Sequence, residues 1–282
     1  MKDYTLKYGK GSVTFALDEA HVTELYGTPV PKIDDIRAAL YATLSSPVSH
    51  EPLESWVNPG DKVALIVSDM SRFWMRQDLV VPHIISYLTD KCDVNQNNIT
   101  IIIANGTHPG GDENELRTLV TDGVYDRIRV VNHDCQAKDL VYIGTTSLGT
   151  EVRINPIAAN ADKVIMLGAC TYHVMAGDGG GRKSILPGIS GLETIRQNHL
   201  HSLDLLAPRS NPLIGNGVTD GNPLNEDMCQ AAAMVKNLFG INLVTNADMQ
   251  LAHIISGDPM KAWQLACHRV DEIYRVPIVK KA

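Results

Sequence analysis

Between His173 and His201 the chain reads HVMAGDGGGRKSILPGISGLETIRQNHLH, which gathers a histidine, a glycine-rich loop, the Arg182-Lys183 pair and two further histidines. Gly177, Gly179, Gly180 and Gly181 withhold side chains where a backbone must turn tightly or approach a ligand. Lys183 offers an amine that becomes nucleophilic once deprotonated, and the neutral imidazole of His199 is a good donor to a transition metal. A loop that only connected two elements would have no need of Arg182, Lys183 and His199 together. Ser190 and Glu193 have the S-x-x-E spacing of a capping box, which predicts a helix from near Gly191 that carries His199 in its last turns. His201 then points from another face of that helix.

Polar chemistry also follows each long apolar run. Asp69 and Arg72 follow the run at 62–69, Thr107 and His108 follow that at 99–106, and Tyr172 and His173 follow that at 163–170. These runs are continuously aliphatic, as suits parallel strands covered on both faces. Ligands of open α/β sheets bind outside the carboxyl ends of the strands, so the three pairs are expected to meet in one crevice if the strands are neighbours. Taken alone, D-x-x-R is common in turns, and His108 beside Pro109-Gly110-Gly111 reads equally as a loop residue. His133 also ends a run but belongs to no motif, and with His21, His50, His83, His253 and His268 it is read as structural.

The elements that must position these groups alternate. A hairpin is predicted over 5–17 with its turn at 9–11, and helices over 34–44, 79–91 and 113–120. Further strands are predicted at 127–133 and 240–246. Asn222 as N-cap and Pro223 at the first helical position open a helix that is expected to run to Gly240, and Asp258-Pro259 opens another through Tyr274. The pattern is that of an α/β fold, a largely parallel sheet flanked by helices with a ligand crevice at the carboxyl ends of the strands.

With 282 residues, 44% of them hydrophobic, the chain can build a sizeable core. A net charge of −7, with no basic arm, argues against a nucleic-acid surface. Cys92, Cys135, Cys170, Cys229 and Cys267 are scattered without a C-x-x-C pair, which fits a reducing, cytoplasmic setting. No apolar run approaches the roughly 20 residues of a membrane span, so no membrane partner is expected.

The stretch from His173 to His199 resembles the signature of the nickel-dependent lactate racemases, H-[YF]-x-A-G-x-x-G-G-R-K-x-[IL]-x-P-G followed by a histidine on the next helix. Upstream, DMSR at Asp69 to Arg72 and GTH at Gly106 to His108 are similar to that family's D-x-T-R and G-T-H motifs. The resemblance implies a racemase or epimerase of a 2-hydroxy acid that works by hydride transfer to a nickel-pincer nucleotide, a cofactor supplied by dedicated synthesis proteins. By the same resemblance Lys183 tethers the cofactor and His199 completes the square plane of the nickel. Asp69, Gly180, Gly181 and Arg182 help to hold the cofactor, Arg72 grips the substrate carboxylate, and His108 and His173 are the acid/base pair.

The chain departs from the family pattern at several places. Pro109 follows G-T-H directly, Phe73-Trp74 follow DMSR, and Asn225 stands where the family's helix motif carries a histidine. Family enzymes continue into a second lobe, so residues 1–275 are expected to form an N-terminal cofactor-binding catalytic domain. Residues 276–282 are expected to begin the linker to a C-terminal lobe absent from this chain, which would make it part of a longer protein. An alternative reading takes 177–184 as a variant of the phosphate loop G-x-x-x-x-G-K-[ST], with Arg182 where that motif has glycine. It would make the protein a nucleotide-binding phosphotransferase that needs magnesium and has no role for His199. A third reading is a non-catalytic carrier of the cofactor.

Overall fold

An aliphatic run with no polar side has nothing to offer water and must be covered on both faces. In the computed structural model, which describes residues 1–277, the three longest such runs lie side by side in one sheet. After an N-terminal ribbon of β1 (Lys2–Tyr8) and β2 (Gly11–Leu17), the chain forms α1 (Ile36–Ser45), β3 (Val63–Ser68), α2 (Val81–Asp90), β4 (Ile99–Ala104), α3 (Glu113–Val120) and β5 (Arg129–Asn132). A second ribbon, β6 (Val141–Thr145) and β7 (Glu151–Ile154), precedes β8 (Lys163–Ala169), α4 (Leu192–Leu200) and α5 (Pro223–Ala233). The chain then forms β9 (Leu238–Thr245), β10 (Leu251–Gly257) and α6 (Pro259–Tyr274).

The main sheet has the order β10-β9-β8-β3-β4-β5; β10 is antiparallel to β9 and every other pairing is parallel. Alternation along each strand divides the core in two. Leu65 and Val67 of β3, with Ile101 and Ile103 of β4, face the side covered by α1 and α2. Ala64, Ile66, Ile102, Val164 and Met166 face the other side, covered by α5, the start of α4 and the β7 residues Val152 and Ile154. Local signals fix the helix starts. The Asp35 side chain accepts from the Ala38 amide, Asp112 and Glu115 form a reciprocal capping box, and Asp258 accepts from the amides of Met260 and Lys261.

Two expectations need correction. The helix opened by Asn222 ends at Ala233, not Gly240. Leu238, Phe239 and Gly240 instead pair in parallel with Val164, Ile165 and Met166, because a buried strand position satisfies both faces of Leu238-Phe239 where a helix would satisfy one. The capping box expected from Ser190 and Glu193 does not form. Gly191 is the N-cap without a side-chain bond, and the Ser190 hydroxyl donates inward to the Ile185 carbonyl at 2.7 Å. The antiparallel strand β10 and the β6-β7 ribbon carry no strong sequence signal and were not foreseen. From residue 278 onward the expected linker lies outside the described residues. Among the described residues no helix is long and apolar enough to cross a membrane.

Ile66 is fully buried at the centre of the sheet. Ile66→Ala is expected to lower the unfolding free energy by about 2–5 kcal/mol, read from denaturant melts. A loss well under about 1 kcal/mol would contradict this core.

Candidate active site

The sheet order reverses between β3 and β8: β4 and β5 extend it one way from β3, and β9 extends it the other way from β8. Loops leaving the carboxyl ends diverge at such a point and open a crevice. Here the crevice has a volume of roughly 220 Å³, and its walls include Asp69, Arg72, His108, Gly180, His173, Lys183 and His199. The structure thus brings together groups from three strand ends, the glycine loop and α4.

After β3, Asp69 caps a 3-10 turn over Met70–Met75 without bonding its amides, which leaves the carboxylate free for side chains. Its Oδ1 accepts from the Ser71 hydroxyl at 2.6 Å and its Oδ2 lies 2.5 Å from His108 Nδ1. That contact holds the His108 proton on Nδ1 and turns Nε2 into the acceptor, the arrangement a histidine base needs. Arg72 is exposed at the crevice, and among the described residues its guanidinium bonds just the carbonyl and hydroxyl of Ser71, through Nη1, so its fork remains available to an anion. Of the two unusual aromatics behind DMSR, Trp74 lines the crevice.

After β8 the chain passes Thr171 and forms a two-residue ladder, Tyr172–His173 against Gly177–Asp178. Tyr172 fastens this ladder to α6 by donating its hydroxyl to Asp271 at 2.6 Å. His173 Nδ1 accepts from the amides of Met175 and Ala176 at 3.2 and 3.1 Å, and Nε2 lies 2.9 Å from Lys183 Nζ. Burial pushes the His173 imidazole down to about 4, aided by the cations of Lys183 and Arg72. Burial, then Arg182 and Arg72, brings the Lys183 ammonium down to about 7.

The glycine loop is shaped from beneath. Gly181 has φ +48°, and a Cβ there would stand 2.8 Å from the Trp263 ring, so only glycine fits. Arg182, which the sequence groups with the cofactor-holding residues, is fully buried and does not line the crevice. Its guanidinium donates to the carbonyls of Ala176 (2.8 Å), Gly179 (3.1 Å) and Gly180 (3.3 Å) and to Asn225 Oδ1 (2.8 Å), and lies 3.8 Å from the Trp263 ring centre. Gly181 is likewise outside the lining, whereas Gly180 is part of it. Asn225, the departure on α5, therefore serves Arg182 below the loop and does not reach the crevice.

On α4, His199 lines the crevice and its Nδ1 lies 2.9 Å from the Ile195 carbonyl. A carbonyl only accepts, so Nδ1 carries the proton and Nε2 keeps a lone pair suited to a metal. Burial pushes this imidazole below its ordinary value, against the Ile195 bond. His201 lies outside the lining, with Nε2 3.9 Å from Asp227 Oδ2.

Sequence reasoning missed the clamp that holds α4. Asn198 donates to the Leu224 carbonyl at 3.1 Å and to Asp227 at 2.9 Å, and the fully buried Asp227 also accepts from Thr146 and Thr150. The signal was a carboxylate inside the otherwise apolar face of α5. Ser68, Thr171 and Ser184 also line the crevice, with only their place beside the motifs to mark them.

A phosphate loop presents its amides to the ligand. Here the amides of Gly179, Gly181 and Lys183 are engaged by Thr171 O, Asn242 Oδ1 and Gly180 O, and a short 3-10 turn follows in place of the long helix of that motif. The phosphotransferase reading thus loses its physical basis.

Comparison with known proteins agrees with this geometry. A model of the lactate racemase N-terminal domain matches residues 8–209. Lactate racemases from Thermoanaerobacterium thermosaccharolyticum and Lactiplantibacillus plantarum are each 27% identical, over 98% and 97% of this chain, and the chain spans 64% of the length of each. The lactate racemase apoprotein structure from the first organism superposes with a TM-score of 0.85 at 26% identity, over 96% of this chain and 63% of that one. By its sequence match, and with a fold that agrees, the chain belongs to the lactate racemase N-terminal domain family.

Proposed function

We propose that the crevice is the active site of a racemase or epimerase of a 2-hydroxy acid of the lactate class. The reaction is a reversible hydride transfer on a nickel-pincer nucleotide tethered to Lys183. The observation that carries the reading is that Lys183 and His199 line one crevice together with two further histidines and Arg72. These residues fit such a group. His199 offers a neutral nitrogen lone pair, Lys183 an amine lowered to about 7, and Asp69 and Gly180 line the same crevice. Gly181 and Arg182 contribute by fixing the loop. Among the described residues no cluster of His, Cys, Asp or Glu is arranged to hold a metal alone, so the remaining donors must come with the ligand.

When bound, the cofactor supplies an electrophilic ring that accepts and returns a hydride. The chain's own residues do the rest. Arg72 engages the substrate carboxylate through its planar fork. His108, oriented by Asp69, exchanges the hydroxyl proton of one enantiomer at Nε2, and His173 serves the other from its own strand end once its ring has left the Met175 and Ala176 amides and bared a lone pair to the crevice. Two bases are needed because inversion of the carbon moves the hydroxyl while the carboxylate stays anchored. Loading depends on partner proteins that build the cofactor. We place the protein in the cytoplasm, where its thiols stay reduced; the cysteines are free among the described residues.

The test is interconversion of lactate enantiomers by protein purified from a host that makes the cofactor. Activity that vanishes in Lys183→Ala supports the reading, and nickel-loaded protein that fails to racemise any short 2-hydroxy acid overturns it. His108→Ala is expected to lower kcat by about 10²- to 10⁴-fold while nickel content is unchanged. Arg72→Gln is expected to act mainly on KM, raising it by about 10- to 100-fold as charge-assisted hydrogen bonds worth about 1.5–3 kcal/mol are lost.

A further inference from the structure

The contact between His173 and Lys183 fixes more than a distance. Two backbone amides, those of Met175 and Ala176, point at His173 Nδ1. An amide only donates, so Nδ1 carries a lone pair and the single proton of the neutral ring sits on Nε2. Nε2 in turn lies 2.9 Å from Lys183 Nζ. An ammonium has three donors and no acceptor, so a charged Lys183 would oppose one N–H group with another. The uncharged amine, with a lone pair, is the form that completes this hydrogen bond. A protonated His173 fails as well, since its Nδ1–H would face the two amides.

We infer that His173 has a task that precedes turnover: its Nε2–H donates to the Lys183 amine and holds it uncharged and directed into the crevice, as a nucleophile ready for an activated acyl or thioacyl carbon. This rests on the reading of Lys183 as the tether but assigns His173 a loading role that the racemisation chemistry does not require. The surroundings act in the same direction. Arg72 from the turn after β3, Arg182 beneath the loop and His199 from α4 are the charged or titratable groups that bear on the pair, and none is an anion. The nearest carboxylate lining the crevice, Asp69, is engaged by His108 and Ser71.

The step balances without an oxidant. A bond forms between Nζ and the acyl or thioacyl carbon, the bond from that carbon to its leaving group breaks, and the leaving group departs with the electron pair and the surplus Nζ proton. An acylated nitrogen has a delocalised lone pair and no longer accepts. Loading therefore releases His173 Nε2–H from Lys183 and frees it to hydrogen-bond a substrate oxygen, and the ring becomes a base only after it turns its bare Nδ1 away from the Met175 and Ala176 amides, so one imidazole serves two stages in succession.

Competitive labelling of the unloaded protein with limiting acetic anhydride tests this apart from racemisation, with the Lys183 peptide quantified by mass against exposed lysines such as Lys10. Lys183 is expected to titrate near pH 7, where its label exceeds that of an ordinary lysine by roughly 10³-fold. His173→Leu, which removes the donor, is expected to lower Lys183 labelling at neutral pH by about tenfold, and His173→Gln, which keeps an N–H donor, to restore it. Labelling of Lys183 that tracks Lys10, or that His173→Leu leaves unchanged, overturns the inference. Nitrogen NMR of the unsubstituted protein gives a second readout that needs no variant. A proton on His173 Nε2 with Nδ1 bare is expected, and the opposite tautomer refutes the hydrogen-bond assignment. Failure here would leave the racemase reading standing, whereas absence of nickel-dependent turnover would overturn that reading and not the dyad.

Discussion

One buried guanidinium sets the geometry on which the candidate site depends. Arg182 has no exposure and donates to three backbone carbonyls of the loop before it and to Asn225 on α5, with Trp263 of α6 against its face. A buried charge is tolerated only where such partners surround it, so the loop, α5 and α6 cannot move independently without exposing or orphaning it. The constraint fixes where the next residue goes. Lys183 leaves the far side of the same 3-10 turn and enters the crevice. Adjacent residues in the sequence thus divide the work, Arg182 holding the loop and Lys183 facing the ligand.

The electrostatics of the crevice follow from the same arrangement. Arg72 and Arg182 bracket Lys183, burial adds to their effect, and the amine is brought to about 7. His173 feels these cations as well and is pushed to about 4. A site rich in basic side chains therefore keeps its inner histidine uncharged and a large share of its inner lysine uncharged near neutral pH, which suits a lysine that must react. Asp69 is the counterweight at the other wall, where its contact with His108 orients a second imidazole. The two histidines reach their tautomers by opposite means, His108 through a carboxylate and His173 through backbone amides.

Much of this was legible in the sequence wherever a residue type admits one physical use. The aliphatic runs ending at Asp69, Gly106 and Cys170 suit buried parallel strands and form them, and behind them Asp69, Arg72, Thr107, His108 and His173 line one crevice while Tyr172 turns to α6. Punctuation by Asn222-Pro223 and Asp258-Pro259 located two helix starts. What failed did so where a pattern had two solutions. Leu238-Phe239 suits a helix face as well as a strand, and only pairing with β8 decides between them. Ser190 and Glu193 have capping-box spacing, yet the serine finds a buried carbonyl instead. Arg182 beside Lys183 reads as a second ligand-binding cation because burial is a property of the tertiary packing and leaves no mark on a two-residue motif. The clamp from Asn198 to Asp227 was hidden for the same reason, since the partners lie on two different helices and only their packing brings them together.

The central claim is that Lys183 and His199 reach one bound group in this crevice. The most direct measurement is intact mass with metal analysis of the protein matured alongside the cofactor-making proteins. The account predicts a covalent adduct that maps to Lys183, accompanied by nickel that His199→Ala largely removes. Protein matured in that way which stayed unmodified and free of nickel would contradict it.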